Sequence, residues 1–502
     1  MRRVLLGGIS VVALGVSLSA APGCGGDSSS TFGGGPGGDG GVGDGACTGF
    51  SCGTGGDTGA KPGCVGLECQ QLPCDNGGKT TVSGIVYDPA GKVPIYNATV
   101  YVPNAALADI PDGAKTCDRC DAAVSGKPIA IAATDTSGRF TLENVPVADK
   151  VPLVIQIGKW RRQVEIPSVA KCADTPVDKA LTSLPKNRTQ GNIPRMALST
   201  GGADPLQCLL RKMGVDDSEF GIAGSDARIH LYAGGGFTEG AAPGTPKPAS
   251  SKFAASVSAG ASYASSETLW SSLATLQNYD LVLLSCEGDE NEATAGAAKP
   301  DPAKQALYDY AKGGGRVFAS HYHEVWLRKS PVAEVKSIAT WADPERQPPA
   351  AGNPATTAVN ADISGSFPKA VAMKDWLTQQ NALTGGKLPI FDARHNVDAV
   401  SAGGLQWISL LNANAGNTNA VQYMSFNTPV GAADDAVCGR VVFSNLHVGA
   451  GMQGGVSDSP QAPFPDGCQT TDLSAQQKAL EFMLFDLSSC VQKDDAAIQA
   501  PR

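Results

Sequence analysis

Tyr279-Asp280-Leu281-Val282-Leu283-Leu284-Ser285 is the stretch on which the fold turns. Its four central residues are apolar without alternation, the pattern of a strand covered on both faces, as in parallel sheets. A helical pattern over Glu267 to Leu276 precedes it. Another over Ala303 to Lys312 follows, and the glycines Gly313 to Gly315 then stop the helix before a second apolar run, Arg316 to Ala319. The same grammar extends outward. Upstream, Ile193 to Leu198 reads as a strand, Gly201 and Gly202 as a loop, Asp204 as a cap and Pro205 to Met213 as a helix; Arg228 to Tyr232 is a further strand. Downstream, Arg440 to Ser444 reads as a buried strand and Ser474 to Leu487 as a last helix. Repeated strand-helix units predict a doubly wound, flavodoxin-like parallel sheet with right-handed crossovers over residues 191–490. Residues 331–437 break the repeat and are expected to form an irregular insertion. An eightfold barrel would need repeats this sequence lacks.

Before this region the period is two. Val82, Gly84 and Val86, then Ala98, Val100 and Val102 after a turn at Pro89-Ala90-Gly91, then Arg139 to Leu142 after Thr136-Ser137-Gly138, and Val151 to Ile157 predict a small antiparallel sandwich over residues 80–190. The expected fold class is therefore multi-domain: an all-β sandwich plus an α/β doubly wound sheet, behind a disordered N-terminal tether.

Both parts resemble known families. Gly84-Ile-Val-Tyr-Asp-Pro-Ala-Gly91, Pro94-Ile-Tyr-Asn-Ala98-Thr-Val100, Thr134-Asp-Thr-Ser-Gly138-Arg-Phe140-Thr-Leu142 and Val145-Pro146 resemble the carboxypeptidase regulatory-like domain, with its transthyretin-like, carbohydrate-binding-like fold. The resemblance implies a spacer or binding module and no peptidase activity. The order Tyr279 to Ser285, helix, Gly313 to His321, and late Gly439-Arg-Val-Val-Phe443 resembles the ThuA-like branch of the class I glutamine amidotransferase-like fold. True amidotransferases carry a cysteine at a sharp strand-to-helix elbow. Here that strand ends at Ser320, His321 and Tyr322, so the resemblance does not extend to glutaminase chemistry.

Met1-Arg2-Arg3, an apolar run from Val4 to Val16 and small residues up to Cys24 have the layout of a secretory leader, too short for a good membrane span. Ala21-Pro22-Gly23-Cys24 resembles a lipobox, with residues 1–23 the signal peptide and Cys24 lipidated; several acyl chains would anchor the protein stably. Residues 24–46, nearly all Gly, Ser and Asp, have too little apolar surface to fold and read as a tether. Residues 47–79 are cysteine-rich and without periodicity, and 491–502 form a tail. The expected location is the cell envelope, as an outer-membrane lipoprotein facing the periplasm or the cell surface.

The chain has 14 cysteines, a net charge of −9 and no Lys/Arg cluster beyond Lys159, Arg161 and Arg162. Nucleic acid is excluded as a partner; the membrane through the lipid, and a glycan or envelope protein, remain. Export makes disulfides the default. Cys117-x-x-Cys120 is read as structural bridging, with Cys172 and Cys208 as further members, rather than as a zinc or redox motif. Cys438, Cys468 and Cys490 flank the last strand and helix, and two of them are expected to bridge. With Cys24 lipidated, at least one thiol stays unpaired within the chain, and Cys286 is expected to be that buried free thiol.

Ligands of doubly wound sheets bind beyond the carboxyl ends of the strands. Three groups fall there: Cys286 with Glu287, Asp289 and Glu290; His321 with His323 and Glu324; and His447. The chain has 5 histidines, and three sit at two strand ends. If the strand ran on through His321 and His323, both would face one side, and with His447 they could bind a metal or act as acid and base. Rim histidines bonded to loop backbone are the alternative. Cys286 could serve as a nucleophile activated by His321, although its acidic neighbours would raise its pKa. The glycine triplets lack the Gly-Lys-Ser/Thr ending of a phosphate loop, and Ser199 to Gly202 lacks a nucleophile elbow. No cofactor is implied. The leading expectation is a non-catalytic envelope lipoprotein that binds or presents a ligand; the rival is a metal-assisted hydrolase or carbohydrate-modifying enzyme.

Overall fold

The computed structural model describes residues 63–492, except 76, 121, 241–243 and 450–456. The leader, the tether, Cys24 and most of the tail lie outside the described residues. The run that opens the sequence argument is a strand, Leu281–Leu284, buried at all four positions. It lies inside a sheet whose main path runs Ala264–Ser265, Ile229–Ala233, Met196–Ser199, Leu281–Leu284, Arg316–Ser320, Gly439–Ser444, Thr418–Thr428, Gly404–Asn412, Val359–Ile363, Leu388–Ile390. Pairing is parallel up to Gly439–Ser444 and antiparallel beyond it. Counting the main parallel strands along the chain, their spatial order is 2-1-3-4-5, and the order reverses between Met196–Ser199 and Leu281–Leu284. That reversal is a topological switch point of an open α/β sheet.

Side chains alternate between two cores. Leu281, Leu283, Phe318 and Val442 join a core with Leu206–Lys212 and Ala475–Ser488, whereas Val282, Leu284, Val317, Ala319, Val441 and Phe443 join one with Asp301–Lys312. Helices thus cover both faces of the sheet, which explains why these strands read as unbroken apolar runs. The expected helix Glu267 to Leu276 is two short ones, Glu267–Trp270 and Leu273–Leu276; the Ser272 hydroxyl caps the second by accepting from the Thr275 N–H.

Residues 331–437 are not irregular. They supply the antiparallel half of the sheet, and Trp407, Tyr423 and Ala361 bury themselves in the same core. Polar residues inside the 11-residue strand Thr418–Thr428, among them Gln422 and Ser425, had masked its burial in the sequence.

The upstream part is β and mostly antiparallel, Thr81–Ile85 pairing in parallel with Asp174–Pro176. One sheet orders Arg139–Glu143, Thr81–Ile85 and Asp174–Pro176; the other orders Pro128–Ala133, Thr99–Pro103, Asp149–Ile157 and Trp160–Ser168. Gly91 and Gly138 turn with φ of 68° and 73°, values that suit glycine. Val82, Leu142, Val100, Leu153 and Ile155 fill the space between the sheets, and that core continues into the helix Ala475–Ser488. Both parts belong to one compact unit.

Disulfides staple that unit. Among the described residues the pairs are Cys64–Cys69, Cys74–Cys172, Cys117–Cys438, Cys120–Cys490 and Cys208–Cys468. Cys438, Cys468 and Cys490 are all bridged, each to a cysteine at least 260 residues upstream. Cys286 is the free cysteine of the described residues, and it is buried. Such a set of bridges belongs to an oxidising compartment, as an exported chain meets. No helix of the described residues is long and apolar enough to cross a membrane.

Candidate functional site

Three parallel strands stop side by side and hand their next residues to one place. Ser285 and Cys286 follow Leu281–Leu284, His321 follows Arg316–Ser320, and Asn445 to His447 follow Gly439–Ser444. The strand does not run through His321. Residues His321–Glu324 form a 3-10 turn, and His321 takes a positive φ of 42°. A bulky residue in that region costs about 1–3 kcal/mol and persists only where surroundings impose it. The turn separates the two histidines, so His321 and His323 do not share a face.

His321 goes inward. Its Nδ1 lies 3.3 Å from Cys286 Sγ, and its Nε2 lies 3.4 Å from Glu345 Oε1. His447 packs edge-on against it, ring centroids 5.1 Å apart, with Nδ1 3.4 Å from Asp392 Oδ2. One ligand atom each from Cys286, His321 and His447 falls within 4.8 Å of the others. All three residues are at most 3 % exposed. Neither His447 nitrogen has a hydrogen bond, nor does His321 Nε2, nor Glu345 Oε1. His321 Nε2 and Glu345 Oε1 face each other, and His447 Nδ1 faces Asp392, but His447 Nε2 has no such neighbour; a buried polar atom is rarely left so.

His323 is occupied otherwise. The Trp326 indole N–H donates to its Nδ1 at 2.9 Å, which leaves Nε2 to donate to the Ser285 carbonyl at 2.8 Å. Burial holds this ring well below its ordinary pKa, so it stays neutral and has no lone pair to spare. Glu324 faces Arg328, with Nε at 3.4 Å, and burial raises it to about 8. Glu287 forms a buried ion pair with Lys299 at 2.7 Å, Glu290 is shared by Arg328 and Lys329, and Asp289 is exposed. His230 bonds Tyr279 and Ser225, and His395 bonds Asp398 and Asn412. Two of the five histidines therefore remain for chemistry.

The surrounding charges are mixed: Glu345 and Asp392 favour a cation, whereas the Arg394 guanidinium acts on the same three residues. Burial pushes the Cys286 thiol up, against the backbone N–H groups of Tyr322 and Gly288. As a metal-free nucleophile it would hold almost no thiolate, whereas a bound cation would deprotonate it outright. Burial lowers His321 and takes His447 to about 3, so both rings are neutral and able to ligate. Burial alone would raise Glu345, but His321 first, and then Arg394 and Tyr322, hold its carboxyl below its ordinary value.

Glu345, Asp392 and Arg394 were not singled out in the sequence. They lie between the antiparallel strands of residues 331–437, where no strand-end rule points to them. Asp204, read as a helix cap, instead accepts from the Val448 and Gly449 N–H groups at 2.7 and 3.2 Å and braces the loop carrying His447. Comparison with protein-family models and with curated proteins finds no match.

Proposed function

We propose that this chain is an exported cell-envelope protein that binds a soft metal ion, Zn²⁺ or copper, through Cys286, His321 and His447, and uses it for hydrolysis. The observation that carries the reading is the convergence of one thiol and two neutral imidazoles, all buried, with His447 Nε2 left without a hydrogen-bond partner. Metal–ligand bonds of about 2.0–2.3 Å in a tetrahedron put ligand atoms roughly 3.3–3.9 Å apart, a small contraction from the observed cluster. Glu345 beside His321 and Asp392 beside His447 stand where carboxylates orient metal-bound imidazoles. Three protein ligands leave a fourth position for water or substrate, the make-up of a catalytic rather than a structural centre. Thiolate and imidazole select Zn²⁺ and copper over Mg²⁺ or Ca²⁺.

The 2-1-3-4-5 order supports the flavodoxin-like, ThuA-like reading of the α/β part, and the two facing, mostly antiparallel sheets support the carboxypeptidase regulatory-like reading upstream. Lipidation at Cys24 would hold the molecule at the outer membrane, with a glycan or an envelope protein as its partner. Elemental analysis of the purified chain tests the central claim. One equivalent of zinc or copper is expected, falling at least tenfold in His447→Ala and His321→Ala variants that keep the native circular dichroism. Protein isolated without metal that also fails to take up Zn²⁺ against a colorimetric chelator would overturn it.

A further inference from the structure

Gln156 and Arg161 face each other across the paired strands Asp149–Ile157 and Trp160–Ser168, and Gln156 faces Thr99 on the other side. Directly opposed residues share a face of the sheet with Cβ atoms about 4.5–5.5 Å apart, so the three form a row. Ile155, Ile157 and Trp160 point into the core, which puts the row on the outer face, where sandwich sheets ordinarily meet water. Here the face is roofed. The segment that carries Asp109 to Cys120 and Ala122 to Ser125 crosses above it and is fixed by Cys117–Cys438 and Cys120–Cys490. Between roof and sheet lies a cavity of about 260 Å³.

Arg161 is 8 % exposed, and its guanidinium makes one hydrogen bond to protein, from Nη1 to Ser125 Oγ at 3.2 Å, with no ion pair among the described residues. Asp109 acts on it only at a distance, so the guanidinium keeps N–H groups free for a ligand. Of the other cations of the lining, Lys159 is spent on Asp280 and Arg119 donates to the Asp435 carbonyl. Gln156 donates from Nε2 to the Gly158 carbonyl, and its buried Oε1 has no partner. The cavity thus offers free guanidinium donors, one free acceptor directly opposite on the neighbouring strand, and an apolar surround that includes Ile110 and Val124.

We propose that this cavity binds a small organic carboxylate carrying a hydrogen-bond donor, its carboxylate on Arg161 and its N–H or O–H on Gln156. The site is independent of the metal cluster. Asp109 at the exposed edge makes no bond to Arg161, and with Asp118 it lines the same cavity, so a second carboxylate on the ligand is repelled.

Titration calorimetry on the full chain with N-acetylglycine, and with the neutral N-acetylglycinamide, tests this. Saturable heat is expected with the acid and none with the amide. Arg161→Met should weaken binding by roughly ten- to a hundredfold, the effect of removing a charge-assisted hydrogen bond. Should that variant fail to fold, Gln156→Glu decides: a carboxylate built into the cavity should abolish binding while raising the melting temperature. Absence of saturable heat with the acid, equal binding of the amide, or unchanged binding in Gln156→Glu each overturns the proposal.

Discussion

Cys286 Sγ and His321 Nδ1 lie 3.3 Å apart, 35 residues from each other in sequence, because Leu281–Leu284 and Arg316–Ser320 are neighbouring parallel strands that end level. The thiol is fully buried and held above its ordinary pKa. In the native state, without metal, it should therefore resist iodoacetamide, since alkylation needs an exposed thiolate. Peptide mapping after labelling under native and denaturing conditions checks this; rapid native labelling of Cys286 would mean that the strand ends open to solvent.

His323 separates a structural histidine from a ligating one. Its two hydrogen bonds tie the turn after Arg316–Ser320 to Ser285 and Trp326. His323→Ala strands a buried carbonyl and an indole N–H, so it should cost about 1–3 kcal/mol for each group left unpaired while leaving the metal content unchanged. Urea unfolding and elemental analysis of the same preparation read both effects. Loss of metal without loss of stability would reverse the roles assigned to His323 and His447.

What the sequence made legible follows from burial. Leu281–Leu284 and Arg316–Ser320 are covered on both faces, so composition alone marks them, and the candidates Cys286, His321 and His447 followed because they come next in the chain. Glu345, Asp392 and Arg394 were hidden because they belong to loops whose place is set by antiparallel pairing far away in sequence. Strand Val359–Ile363 does alternate, with Ala361 and Ile363 inside and Asn360 and Asp362 outside, but its five residues are too few to stand out from loop. The turn at His321 was hidden for another reason: a positive φ in a histidine is imposed by tertiary contacts, not by local preference. Bridges such as Cys120–Cys490, spanning 370 residues, carry no local signal at all.

Those bridges close overlapping loops. Cys117–Cys438 spans 321 residues, yet with Cys120–Cys490 intact both ends are already held near each other. Removing one bridge should cost about 2–5 kcal/mol, with the double removal costing more than the sum, because only then is the unfolded chain freed over its whole length. Paired serine substitutions, measured singly and together by denaturant unfolding, test the non-additivity. Simple additivity would show that the roof segment unfolds independently of the strands it is bridged to.

Glu481 on the last helix is 0 % exposed, and neither carboxyl oxygen has a hydrogen bond. Burial and then Asp88 push its carboxyl well above the usual range, against Lys478, and burial raises Asp88 itself to about 6. In the unfolded chain both ionise near pH ~4. Above that pH the folded state keeps protons that the unfolded state has released, so their contribution is fully present below about pH 4 and is lost as pH climbs through the raised values. Glu481→Gln keeps the shape and removes the proton. Its unfolding free energy relative to the parent should therefore shift in the variant's favour between about pH 5 and about pH 8. A difference that stays flat across that window would mean that Glu481 carries the same charge folded and unfolded, and that water or a cation reaches the interior of this helix.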